Sequence, residues 1–192
     1  MPESFAPVKL AMPMSKPPCG LWSDTAGALS FYGDAEAVIA GRVTGLDLRE
    51  HPIREKQLSS ASSARIKRRI DSRTATREEW KRYVWDKRLA KRRNDGVRAF
   101  WNDERRRLVV GEKGTRNWTA AQRNEILNGD SPSYNGKKMQ GHHAYSVSKY
   151  PHLANKAEVI YPATPYEHLK GWHGGSYRKS LPGVRIRRIN EF

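Results

Sequence analysis

The chain has 192 residues, 36 Lys and Arg against 20 Asp and Glu, a net charge of +16 and only 37 % hydrophobic residues. That length holds one compact domain, or a domain with an extension, over a modest core, and the excess of positive charge points to a polyanion, nucleic acid before an anionic membrane. No run of about 18 apolar residues occurs, so no membrane span is expected; no apolar stretch follows basic residues at the start, so no secretory signal peptide is expected; and Cys19, the one cysteine, excludes an intrachain disulfide and a cysteine zinc cluster, leaving His, Asp, Glu or Asn to hold any metal.

Residues 1–60 read as an extended, irregular lead-in. Five of the eleven prolines lie in the first twenty residues (Pro2, Pro7, Pro13, Pro17 and Pro18), and each fixes φ and removes a donor. Small apolar pieces punctuated by glycine follow, and Ala28–Tyr32 and Val38–Val43 are expected as short strands. Residues 61–110 form a basic helical region. From Arg65 to Arg107 there are 17 Lys and Arg against 7 Asp and Glu, with no proline. Thr76 and Glu79 make a capping box that starts a helix. Trp80, Tyr83 and Val84 share one face, and Asn94-Asp95-Gly96 reads as a stop and a new start before Val97, Phe100, Trp101 and Leu108. Two or three basic amphipathic helices are expected, and an imbalance of sign this large favours phosphate contact over a merely solvated face.

Residues 111–192 change texture. Thr119 and Gln122 form a second capping box, with a short helix over Thr119–Asn128 ended by Gly129. Asn135-Gly136 is a hairpin signal between a strand near Ser133–Tyr134 and one running from Lys137 into His142-His143. Val184–Phe192 alternates and is expected as a basic edge strand. Trp118 and Trp172 read as core residues.

Five of the six histidines fall within residues 142–173: His142, His143, His152, His168 and His173. Imidazole is neutral near pH 7 and serves both as metal ligand and as proton acceptor. Neighbours on a regular strand point to opposite faces, but where a strand ends in a bend an adjacent pair can divide these tasks, one on a metal and one on a water. His168 and His173 are five apart, an offset of about 500° on a regular helix. Both reach one ion only if one sits past the helix end or the helix distorts. His152, after Pro151, reads as structural, and His51 is assigned nothing.

Gly141-His142-His143, Tyr145-Ser146-Val147, Tyr150-Pro151-His152-Leu153-Ala154-Asn155, Ile160-Tyr161-Pro162-Ala163-Thr164, Glu167-His168-Leu169 and His173-Gly174-Gly175 together resemble the GHH-type toxin nucleases of the HNH superfamily. Thr115-Arg116-Asn117-Trp118-Thr119, Gln122-Arg123 and Ile126-Leu127-Asn128-Gly129 are similar to the same family. The resemblance covers residues 112–184. It implies an α+β fold, a ββα-metal (HNH) core preceded by basic helices, in the C-terminal domain of a bacterial polymorphic toxin delivered by contact-dependent or type VI secretion. Thr164-Pro165-Tyr166-Glu167-His168 is also similar to colicin-type nuclease domains. By that likeness His142, His168 and His173 hold the metal, His143 is the general base and Asn155 fixes the loop that holds it. Colicin-type domains place three residues between the last two histidines, where this chain has four. Glu167 is a further ligand or a support for one.

The expected activity is a metal-dependent, largely sequence-nonspecific DNase acting as an antibacterial toxin. An RNase on the same scaffold and a non-catalytic nucleic-acid-binding or structural-zinc module are the alternatives. A structural zinc usually fills its four positions with Cys and His, and the absence of cysteine from this region argues for chemistry. The cofactor is one divalent ion, with Mg²⁺, Zn²⁺, Ni²⁺ and Mn²⁺ all open. Arg116, Lys137, Lys138, Lys149 and Arg178 flank the site as phosphate-binding candidates. The resemblance also implies a cognate immunity protein, acidic to match the basic surface, and a parent effector that carries the toxin into the target-cell cytoplasm.

Overall fold

In the computed structural model, which describes residues 34–192, the first element is a helix, α1 (Asp34–Arg42), where a strand over Val38–Val43 was expected. Burial explains the difference. Ala35, Ile39 and Val43 are all inside, and a spacing of four is the period of a helix, not of a strand. Arg42 fastens the end of α1 to the rest, donating to the carbonyls of Ala157 at 2.6 Å and Ile160 at 2.9 Å. The expected strand at Ala28–Tyr32 and the proline-rich stretch lie outside the described residues.

The basic region forms α2 (Ser60–Asp71) and α3 (Arg77–Val109). The Thr76–Glu79 capping box starts α3 as its sequence foretells. The expected interruption at Asn94-Asp95-Gly96 does not occur, and α3 runs unbroken for 33 residues. Asp95 supports the helix there through pairs one turn away on each side, to Lys91 at 2.6 Å and Arg98 at 2.7 Å. Gly96 is buried because another backbone segment lies against it. Leu89, Phe100, Glu104 and Leu108 are likewise buried along α3. Glu104 is a buried acceptor for the following loop: Trp118 Nε1 donates to it at 2.6 Å and Thr115 Oγ1 at 2.6 Å.

Helix α4 (Ala120–Leu127) begins at the second capping box, and Gly129 follows at φ +91°, the left-handed stop. Strands β1 (Ser133–Tyr134) and β2 (Lys137–Lys138) pair across Asn135 and Gly136, at φ +47° and +72°, as a type I′ turn requires. The second strand does not run on into the histidines. Met139 turns inward and is buried, its N–H bonding to Pro132 O, and β3 (Gln140–His143) starts anew. β3 pairs antiparallel with β4 (Ile160–Ala163), His142 opposite Tyr161 and His143 opposite Ile160. After β4 comes a π-helix, Glu167–Trp172, so strand, strand and helix follow in the order expected of a ββα core.

Residues 184–192 are not a strand. Arg185 turns inward instead and forms a buried fork with Glu36 of α1, at 2.8 Å. Ile186 and Ile189 pack beside Gly174 and Gly171 of the closing segment. Trp118 and Trp172 are buried as expected. Among the described residues, no helix is long and apolar enough to cross a membrane.

Candidate active site

The pleat of β3 divides its four residues between two faces. Gln140 and His142 look toward the π-helix; Gly141 and His143 look toward α3. His142 is 2 % exposed and its ring stacks on Trp172 at 4.6 Å. His168 and His173 close around it, with ring centroids 4.9 and 5.0 Å away. The structure thus brings together His142, His168 and His173, with one ring nitrogen of each within 4.8 Å of the others.

The distortion that the five-residue spacing demands is present. The N–H of His173 bonds to the carbonyl of His168 at 3.2 Å, the i to i+5 bond of a π turn. That turn brings the two rings to the same side. Their Nε2 atoms stand 3.3 Å apart. His173 Nδ1 lies 2.6 Å from the Lys179 carbonyl, which only accepts, so Nδ1 carries the proton. His168 Nδ1 is bound in the same way by Gln140 Oε1. Both Nε2 atoms therefore present lone pairs to each other with no proton between them, an arrangement a cation satisfies. Ligating histidines characteristically donate their second nitrogen to an oxygen in this way. Two nitrogens of a tetrahedral zinc site at about 2.0–2.1 Å stand about 3.3–3.4 Å apart, whereas adjacent positions of an octahedral magnesium site stand about 2.9 Å apart. The observed spacing and the imidazole donors fit the first.

Electrostatics keep His142 and His168 neutral. Burial pushes His142 well below the usual histidine range, helped by His168 and His173. Burial, then His173, His143 and Arg93, take His168 to about 4.

His143 sits apart from this cluster, on the other face of β3. Its Nε2 is 2.9 Å from the Ala154 carbonyl and so carries the proton, leaving Nδ1 as an acceptor. Burial lowers it to about 4, with Arg93 adding to the effect and the bond to Ala154 opposing it. The Ala154–Asn155 turn is held by α3. A Cβ built on Gly96 would stand 2.5 Å from the Ala154 oxygen, so only glycine admits the turn. Arg92 donates to His152 O at 3.1 Å and to Asn155 Oδ1 at 3.0 Å. Asn155 thus anchors the turn through Arg92, while the carbonyl that orients His143 belongs to its neighbour. Gly141 has an equally physical reason: a Cβ there would meet Val97 Cγ1 at 2.8 Å.

The phosphate-binding candidates divide. Arg116 is a correction: it is 8 % exposed and clamps Glu167 at 2.6 and 2.9 Å, with Phe192 O accepting at 2.7 Å. It cannot reach a substrate. Glu167 is corrected with it as a ligand. Burial alone would raise its pKa, but Arg116 and the N–H groups of Glu191 and Thr164 outweigh that and hold it ionised, its oxygens spent. Lys138 and Lys149 are exposed in surface pairs with Glu125 and Glu50, and such pairs exchange readily. Lys137 and Arg178 are exposed. His152 donates Nε2–H to Asp47 O at 2.8 Å, the structural part expected of it.

Several site residues, or their place at the site, escape a sequence reading: Gln140 and the Lys179 carbonyl behind the ligands, Trp172 beneath His142, and on α3 Gly96 and the positions of Arg92 and Arg93, which read only as phosphate contacts of the basic helices. The last three lie 45 or more positions from the histidine pair in a helix whose charge alone is conspicuous, and Gly96 reads there as a helix stop.

Residues 78–164 match the family model described as a GHH signature containing HNH/Endo VII superfamily nuclease toxin. The match takes in nearly all of α3, then α4 and all four strands, and stops before the π-helix that carries His168 and His173. It starts earlier than the resemblance read from the motifs. The mixed helices and small antiparallel sheets agree with an α+β HNH-type fold. Comparison with curated proteins found no match. Over residues 78–164 the chain is thus similar to the GHH-signature nuclease toxins.

Proposed function

We propose, from the likeness of residues 78–164 to the HNH/Endo VII nuclease toxins, that the protein is a metal-dependent, largely sequence-nonspecific DNA endonuclease that acts as an antibacterial toxin. The observation that carries this reading is the pair of facing imidazole lone pairs on His168 and His173, with His142 beside them and His143 held separately. A phosphodiester repels anions and is a poor electrophile. Hydrolysis needs an acceptor for the water proton and a means of neutralising the charge that builds on the phosphate.

His142, His168 and His173 would hold one divalent ion, which supplies a Lewis acid for the phosphate oxygens. The donor set supports Zn²⁺ or Ni²⁺ over Mg²⁺, and the nitrogen spacing supports Zn²⁺. Gln140 and the Lys179 carbonyl keep two of these rings in the tautomer a ligand needs. His143 is the general base: its Nε2–H is committed to Ala154, so its Nδ1 is the atom that takes the water proton. Asn155, through Arg92, keeps that carbonyl in place. A basic surface supplies sequence-independent affinity for the nucleic-acid backbone. With this function go an acidic immunity protein and a parent effector that delivers the domain to a target-cell cytoplasm.

The test is plasmid nicking by the full chain with Zn²⁺, Ni²⁺, Mn²⁺ or Mg²⁺ and with EDTA, beside a structured RNA. Metal-restored cleavage of the plasmid and not of the RNA is expected. Preferential cleavage of the RNA would transfer the reading to an RNase, and failure on both substrates with every ion would end it.

A further inference from the structure

Helix α3 lies along β3 in a fixed antiparallel register. Val97 stands over Gly141, since a Cβ there would strike its methyl groups at 2.8 and 3.1 Å. Trp101, one turn further, packs with Met139 in the same apolar cluster. Four residues of helix rise about 6.0 Å and two of strand about 6.6 Å, so the elements stay in step. One turn back from Val97 the same register sets Arg93 opposite His143. The electrostatics agree: Arg93 is the arginine whose field acts on both His143 and His168. Its side chain is exposed, while its neighbour Arg92 is committed to the Asn155 turn.

Beside this contact runs a cleft of about 420 Å³, lined by Asn94, Arg98 and Asn102 of α3 and by Ser131, Gln140 and Gly141 across from them. Its walls carry amides, a hydroxyl and a guanidinium beside the apolar Val97, Trp101 and Met139. Gly141, in its floor, shares a face of β3 with His143, two residues on. From Asn94 to Asn102 the wall is about 12 Å long by helix rise, room for more than one backbone phosphate of a strand.

We propose that this cleft is the track for one strand of the nucleic-acid substrate, with Arg93 on the phosphate next to His143 and Arg98 on a phosphate further along. The polar wall of Asn94 and Asn102 offers hydrogen bonds to sugar and phosphate, the contacts that position a strand without reading its sequence. Arg98 leaves its exposed pair with Asp95 at little cost, as surface pairs do.

This inference rests on the nuclease reading, and binding separates the two. In full-length protein carrying His143→Ala, the affinity of fluorescein-labelled 12-nucleotide single-stranded DNA and of a 12-base-pair duplex is measured by anisotropy across salt concentrations. Arg93→Gln with Arg98→Gln should weaken binding at least about tenfold and flatten the plot of log K against log salt by about 1.4 to 1.8 for two lost contacts. Asn102→Trp, which fills the cleft without changing charge, should weaken binding as well. The control pair Arg77→Gln with Lys81→Gln removes the same charge about 18 Å or more along α3 from Arg93 and should change both quantities much less. Equal losses in the control pair, or unchanged binding by Asn102→Trp together with the arginine pair, would overturn the track. If these binding results hold and the protein with intact His143 cleaves neither DNA nor RNA, the track stands as a binding site and the nuclease reading fails.

Discussion

At the scale of single residues, the division of labour within His142-His143 follows from the pleat: one ring faces the π-helix and the other the Ala154 turn. His143→Ala should lower kcat by at least about 10²-fold, near 3 kcal/mol in barrier, with metal affinity by calorimetry unchanged. Loss of metal equal to that of His142→Ala would make His143 a ligand instead. The pH profile carries a second consequence. A base works only when neutral, and burial with Arg93 holds His143 at about 4. The acid limb of kcat at saturating metal should therefore lie well below the ordinary histidine midpoint near 6.5, with activity kept at pH 5.5. A limb near 6.5 would mean that His143 is open to water during turnover.

At the scale of elements, α3 is the strut that places the base, and Gly96 is where it touches the turn. Gly96→Ala improves helix propensity by about 1 kcal/mol, yet its methyl would press on the Ala154 oxygen at 2.5 Å. The clash should win, costing about 1–3 kcal/mol in urea unfolding and lowering kcat through a displaced His143, with the metal centre intact. Added stability with full activity would show that the turn yields freely. The π-helix is tied down differently, by Arg116 and Glu167. Glu167→Gln removes half of a buried ion pair and should cost about 3–5 kcal/mol while leaving metal affinity unchanged in the folded protein. A large loss of affinity without loss of stability would restore Glu167 as a ligand.

Legibility followed the range of the interactions. The capping boxes at Thr76 and Thr119 and the Asn135-Gly136 turn were readable because each is complete within four residues. The three clustered histidines were readable as a set because chemistry restricts what so many imidazoles do together. What failed depended on distant partners. Val38 and Ile39 read as strand until Glu36 finds Arg185, 149 positions away. Gly96 read as a helix stop because the turn it admits lies nearly sixty residues later. Arg116 read as a surface cation because nothing local reveals Glu167.

For the whole molecule, the neutral imidazoles make stability depend on acid and on metal. His143 and His168 titrate near 4 when folded and near 6.5 when unfolded. Their contribution is therefore complete above about pH 6.5 and is lost as pH falls toward 4, where the unfolded chain binds protons that the folded one refuses. Urea unfolding of metal-free protein should show stability falling from pH 7 to pH 5. Metal at a hundredfold excess over its Kd should add about 2.7 kcal/mol, a rise of roughly 5–10 °C in Tm for a unit of this size. His173→Ala should abolish most of that rise. A rise surviving in both His168→Ala and His173→Ala would place the ion elsewhere.

The π turn between His168 and His173 also bears on how such sites are compared by length. An α-helix brings residues four apart into register, and this chain has spent one residue more without moving the rings apart. The surplus is absorbed by the widened hydrogen-bond rings of the π-helix, so an insertion that would swing a side chain by about 100° on an ordinary helix becomes silent at the ligand atoms. Counting positions between histidines therefore separates sequences that geometry unites. Removing one residue from that segment would let the ladder close as an α turn, with both imidazoles still on one side.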